Sequence, residues 1–121
     1  MSNPNIIVYT DGSSRGNPGP GGYGIVMQKF GSNYIKEFSD GFRRTTNNRM
    51  ELLAVIVALE KIKIENQYVH IYTDSKYVSN SVEKKWVFGW EKKDFKNKKN
   101  PDLWLRFLKT YRKHHVSFFW I

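Results

Sequence analysis

An uninterrupted apolar run at residues 6–9, Ile-Ile-Val-Tyr, ends in Thr10, Asp11 and Gly12, which predicts a buried strand delivering a carboxylate to its end. Asp-Gly is itself a strong turn signal, so a simple turn is the plain alternative for Asp11 and Gly12. Glycine and proline then dominate residues 12–22 and predict a tight loop that admits close approach of another backbone. Residues 23–27 alternate as a second strand, Gly31-Ser32-Asn33 signals a turn, and residues 34–42 read as a third, more polar strand. Short turns between successive strands make an antiparallel meander.

Residues 50–62 are harder, because Val55, Ile56 and Val57 favour strands. Length, Leu52, Leu53, Ala54, Ala58 and a cap at Asn48 favour a helix of about a dozen residues, apolar nearly all round and therefore buried. Glu51 is out of place on it. It lies three residues after Asn48, where a capping-box glutamate would reach back to a free N–H. Residues 67–73 predict a fourth strand, and the helix before it is long enough to make strands three and four parallel neighbours in a mixed sheet. That strand ends in Tyr72-Thr73-Asp74, repeating Tyr9-Thr10-Asp11; Asp74 or Ser75 can equally cap the short helix expected over residues 76–85. Asn100 and Pro101 read as an N-cap and first helical residue, opening a helix with Leu103, Trp104, Phe107, Leu108 and Tyr111 on one stripe. A last strand covers residues 116–121.

Composition narrows the class. With 121 residues, 40% of them hydrophobic and 16% aromatic, the chain suits one domain with its own core. Cysteine is absent, which excludes disulfides, thiolate metal sites and a cysteine nucleophile, and suits a reducing cytoplasm. Neither a leader pattern nor a run near the ~20 apolar residues of a membrane span is present, so the expectation is a cytoplasmic protein without a membrane partner. The net charge of +9 points to a polyanion, nucleic acid before anionic lipid. Residues 84–99 concentrate it: Lys84, Lys85, Lys92, Lys93, Lys96, Lys98 and Lys99 stand against Glu91 and Asp94. A solvated basic face is the ordinary reading of such a run, but Trp86, Phe88, Trp90 and Phe95 interleave it and can pack on sugars while lysines meet phosphates. The glycine-rich stretch lacks the Lys and Ser/Thr of a nucleotide-binding P-loop.

Asp11, Glu51 and Asp74, converging from two strand ends and a buried helix, would repel one another unless a cation lies between them. Oxygen ligands without cysteine or clustered histidine favour Mg²⁺, with Mn²⁺ as a substitute, over Zn²⁺. Two such ions about 4 Å apart can generate hydroxide and stabilise a leaving oxygen in phosphodiester cleavage. His70, His114 and His115 are scattered and read as packing or surface residues.

TDGSSRGNPGPGGYG, TTNNRMELLAVIVALE, YTDSKYV, WVFGW and NPDLW, in this order and separation, resemble bacterial type 1 ribonuclease H over essentially the whole chain. The resemblance implies an α/β ribonuclease H-like fold, a five-stranded mixed sheet in order 3-2-1-4-5 flanked by helices. It implies Mg²⁺-dependent endonucleolytic hydrolysis of RNA paired to DNA, leaving 5′-phosphate and 3′-hydroxyl ends. Asp11, Glu51 and Asp74 fall on three of the family's four catalytic acids. Ser14, Asn17, Asn47 and Asn48 fall on positions that contact the minor groove, where the 2′-hydroxyl separates RNA from DNA. Thr46, Asn47 and Trp90 match residues that hold the DNA strand and its phosphate. Residues 84–99, with Trp86, Lys92, Lys93, Lys96, Lys98 and Lys99, match the family's basic protrusion, and Lys76 stands where a hydrogen-bonding glutamine is best known. Family members continue past Trp120-Ile121 into a loop with a histidine and a helix near the fourth acid. On that footing the polypeptide is expected to be a monomer of reduced activity, or one completed by a C-terminal segment from another chain. A non-catalytic hybrid-binding module is the second reading. A resolvase or transposase core shares the acids but predicts neither the asparagine pair nor WVFGW.

Overall fold

The computed structural model describes residues 3–121. Five strands, β1 (Ile6–Ser14), β2 (Gly19–Lys29), β3 (Ile35–Thr45), β4 (Tyr68–Thr73) and β5 (His115–Trp120), form one sheet in the order β3-β2-β1-β4-β5. The meander β1-β2-β3 is antiparallel, while β4 pairs parallel with β1 and β5 pairs parallel with β4. The mixed sheet and its order are those the family resemblance implies; the reading of strands three and four as parallel neighbours, taken from helix length, is corrected. The crossover passes over β2 and β1 and sets β4 beside β1, leaving β3 at the far edge.

Helices α1 (Asn47–Glu60), α2 (Lys76–Glu83), α3 (Trp86–Lys92) and α4 (Pro101–Tyr111) complete the fold. α1 is buried almost all round, as its composition requires, against the face of β1 that carries Val8, Thr10 and Gly12. Leu52, Ile56 and Leu59 meet Val8, Ile25, Val69 and Ile71 from the sheet and Trp104 and Phe107 from α4 in one apolar cluster. Side chains alternate across a strand, so the intervening residues face the other way. There Tyr9, Tyr72 and Phe119 stand stacked in a row, each ring centroid 5.0 Å from the next.

Three local expectations are revised. Most of the glycine-rich stretch is strand rather than loop: β1 runs to Ser14, β2 starts at Gly19, and Ser13↔Gly22 and Ser14↔Gly21 are paired rungs. Glycine serves close approach here, because a Cβ on Gly19 or Gly21 would lie within 2.5 Å of a carbonyl oxygen of Arg15 or Ser13. The cap of α1 is Thr46, whose hydroxyl accepts from the Arg49 N–H at 3.2 Å, and not Asn48. Asn100 and Pro101 hold the expected N-cap and first helical positions of α4, but Asn100 is left-handed and its side chain makes no capping bond; it accepts from Arg49 Nη1 at 3.0 Å and donates to the Tyr77 hydroxyl at 3.1 Å.

Candidate active site

The repeated Tyr-Thr-Asp tripeptides lie side by side. Tyr9↔Tyr72 is the final parallel rung between β1 and β4, so Asp11 and Asp74, each two residues on, emerge together where the two strands part. Asp11 stays in the antiparallel ladder opposite Gly24, whereas Asp74 stands in the turn into α2, whose cap is Ser75. Glu51 comes from the first turns of α1. One carboxylate oxygen from each of Asp11, Glu51 and Asp74 lies within 4.8 Å of the others.

This proximity depends on Gly12. A Cβ there would sit 2.6 Å from the Met50 carbonyl carbon and 2.7 Å from the Glu51 nitrogen, so α1 rests directly on the β1 backbone. Because Thr46 rather than Asn48 is the cap, Glu51 lies two residues too deep for a capping box. Asp11 and Asp74 are exposed, while Glu51 is only 4% exposed. Burial first, then the hydrogen bond and charge of Asp74 and the charge of Asp11, push the Glu51 carboxyl up to about 8, against a hydrogen bond from the Gly12 N–H. Glu51 Oε1 is buried with no hydrogen-bond partner among the described residues. Two exposed carboxylates and a buried acid with an unsatisfied oxygen, without nitrogen or sulfur donors, fit a hard divalent cation.

The raised value makes a stability prediction. The folded metal-free protein keeps the Glu51 proton to about pH 8, whereas the unfolded chain releases it near the ordinary 4.5. The favourable contribution is therefore full below pH 4.5 and is lost as pH rises through 8. In chelator at pH 9, Glu51→Gln is expected to exceed the parent in stability by an amount on the order of 3 kcal/mol, with little difference at pH 4. Urea unfolding at the two pH values measures this; equal gaps at both would remove the buried-acid account.

Ser14 Oγ donates to the Gly16 carbonyl at 2.7 Å, and Asn17 Oδ1 accepts from the Asn47 N–H at 3.0 Å, so the β1–β2 connection is tied to the start of α1. Asn47 and Asn48 lie exposed in the first turn of α1, with Thr46 half-buried beside them. Sequence reasoning missed Arg49, which binds Asp102 through two contacts of 3.1 and 2.7 Å and clamps this turn to α4. Fifty-three positions separate the pair, and no short-range pattern marks it.

In the basic segment, α3 and the turn after it hold Lys92, Lys93, Lys96, Lys98 and Lys99 exposed around buried Val87 and Phe95. The aromatic expectation is corrected in part. Phe95 is core, Phe88 packs on Tyr111, and Trp90 meets Trp104 edge-on at 5.9 Å with Lys98 over its ring at 5.2 Å. Trp86, 47% exposed, is the aromatic of the four left open to solvent. Glu91 is engaged by Arg112 at 2.6 Å, so it does not neutralise the neighbouring lysines.

The RNase H family model matches residues 3–121. A ribonuclease H of Desulforamulus reducens is 54% identical over 121 residues, covering 96% of this chain and 74% of the relative. Among solved structures, LC9-RNase H1, described as a type 1 RNase H with the type 2 active-site motif, superposes with a TM-score of 0.82 at 30% identity, over 100% of this chain and 64% of its own. LC11-RNase H1 in complex with RNA/DNA hybrid superposes with a TM-score of 0.72 at 30% identity, over 96% of this chain and 84% of its own.

Proposed function

This chain belongs to the ribonuclease H family, and from that premise we propose that it cuts the RNA strand of RNA/DNA hybrids with Asp11, Glu51 and Asp74 as its catalytic acids. The observation that carries the reading is their convergence within 4.8 Å from three separate elements, with a buried oxygen of Glu51 unsatisfied. The three carboxylates would hold Mg²⁺, with Mn²⁺ as a substitute; bound there, such ions supply an activated water and stabilise the leaving oxygen. Attack on the phosphorus that expels the 3′ oxygen leaves 5′-phosphate and 3′-hydroxyl ends.

The chain's own residues place the duplex. Ser14, Asn17 and Asn47 are joined by hydrogen bonds, and with Asn48 they would meet the minor groove, where the 2′-hydroxyl is read. Thr46, Asn47 and Trp90 would hold the DNA strand and its phosphate, Trp86 would pack on a sugar while the five lysines of the basic segment meet phosphates, and Lys76 would take the place of a hydrogen-bonding glutamine. Phosphate contacts position a duplex without choosing its sequence, so cutting is sequence-tolerant. Among the described residues no helix is long and apolar enough to cross a membrane. The cysteine-free, basic composition suits a nucleic-acid-binding protein of a reducing cytoplasm, which we propose acts on hybrids as a monomer.

The test is cleavage of a labelled hybrid beside the matching all-DNA duplex, with Mg²⁺, with Mn²⁺ and with chelator. Cutting of the RNA strand only, with metal present, is expected. Equal cutting of both duplexes would overturn the reading. Replacing Lys92, Lys93, Lys96, Lys98 and Lys99 by alanine is expected to weaken hybrid binding and flatten its salt dependence, by about 0.9 in log–log slope for each phosphate no longer neutralised. An unchanged slope would remove the basic segment from the interface.

A further inference from the structure

Trp120 ends β5 as the partner of Thr73, the last rung between β4 and β5. The residue is 57% exposed, yet both the edge and the face of its indole are engaged. The Nε1–H donates to the Asp74 carbonyl at 3.0 Å, and the Lys76 ammonium lies over the ring, 4.5 Å from its centroid. Asp11 is held by the sheet and Glu51 by a buried helix; Asp74 alone of the three lies beyond the last rung of its strand. The indole therefore extends the ladder by one hydrogen bond, beside the bond from the Ile121 N–H to the Thr73 carbonyl at 3.0 Å.

Lys76 adds a second observation. None of the ion pairs among the described residues involves Lys76, and its ammonium rests on the indole. An ammonium folded onto the acids would occupy the place of a divalent cation.

The geometry points to Trp120 as a positioning residue for the acid cluster: its N–H fixes the Asp74 backbone, and its ring holds the Lys76 ammonium away from the carboxylates. This rests on the reading of Asp11, Glu51 and Asp74 as metal ligands. Outer-shell partners that orient ligands affect metal affinity by about 10–100-fold, which sets the scale expected here.

Calorimetric titration of the full chain with Mn²⁺, without nucleic acid, tests it. Trp120→Leu removes both contacts and is expected to weaken Mn²⁺ binding about tenfold, while Trp120→Phe, which keeps a ring for Lys76, weakens it about threefold. Adding Lys76→Met to Trp120→Leu is expected to restore part of the loss, a rescue that a merely structural tryptophan would not allow. With hybrid at subsaturating metal, kcat of the Trp120 variants falls, and excess metal brings it back. Trp120→Phe preserves packing, so it decides the matter if the leucine variant unfolds. Folded variants binding Mn²⁺ within twofold of the parent would overturn the role of Trp120. A parent chain that binds no Mn²⁺ would instead overturn the metal reading itself.

Discussion

Asp11→Asn is expected to fold and to bind hybrid, but to cut it about 10³-fold more slowly, a rise of about 4 kcal/mol in the barrier. The amide keeps the shape of the side chain and its place opposite Gly24 in the β1–β2 ladder, so the sheet has no reason to change. It removes one negative charge from a cluster whose oxygens lie within 4.8 Å of one another, and a neutral amide oxygen holds a divalent ion far less well. The loss has a second signature. Asp11 is one of the charges that raise the Glu51 carboxyl to about 8, so its neutralisation moves Glu51 down toward the ordinary carboxylate range. Single-turnover cleavage beside hybrid affinity in chelator reads the first effect, and the pH dependence of urea unfolding of the metal-free variant reads the second. A variant that cuts within tenfold of the parent would take Asp11 out of the chemistry. Lost binding together with lost cutting would mean that a fold defect, and not the missing charge, was measured.

Gly12→Ala is expected to damage the enzyme from beneath the site. The added methyl meets backbone, the Met50 carbonyl carbon at 2.6 Å and its oxygen at 2.7 Å, and backbone cannot rotate aside as a side chain can. Restoring ordinary contact requires α1 to move by roughly 1 Å, which overpacks a core already filled and costs about 1–3 kcal/mol of stability. Glu51 travels with the helix. A displacement of that size at a catalytic group costs about 10²-fold in rate, so activity falls even where the protein is still folded. Gly24→Ala is the control, because it lies opposite Asp11 in the same ladder yet a Cβ there has nothing within 4 Å. Thermal melts and cleavage rates of the two variants separate close helix approach from any general intolerance of alanine. Equal behaviour would dispose of the argument.

Much of this site is legible along the chain itself. The apolar run into Asp11 and the second Tyr-Thr-Asp announce two acids at strand ends, and the parallel register places those tripeptides side by side. Glu51 is conspicuous as an acid on an otherwise apolar helix, but its capping role falls away only because Thr46 proves to be the cap. The basic segment is recognised by charge; which of its aromatics are buried is not, since Phe95 and Trp86 look alike in composition and differ only in what packs on them.

The sequence by itself determined the elements, the acids, the basic segment and the family resemblance, because alternation, helical stripes, turn residues and contiguous motifs are written within a few positions of one another. The place of β4 beside β1 followed from the family resemblance and not from the local pattern, while tertiary structure alone decided that Arg49 binds Asp102, that Gly12 is where α1 touches the sheet, and that Trp120 reaches Asp74. Each of these joins residues tens of positions apart, and none leaves a local trace, because the partner's identity depends on how the whole sheet is ordered. The high proton affinity of Glu51 belongs with them, since it arises from burial and from two carboxylates that only the closed fold brings near.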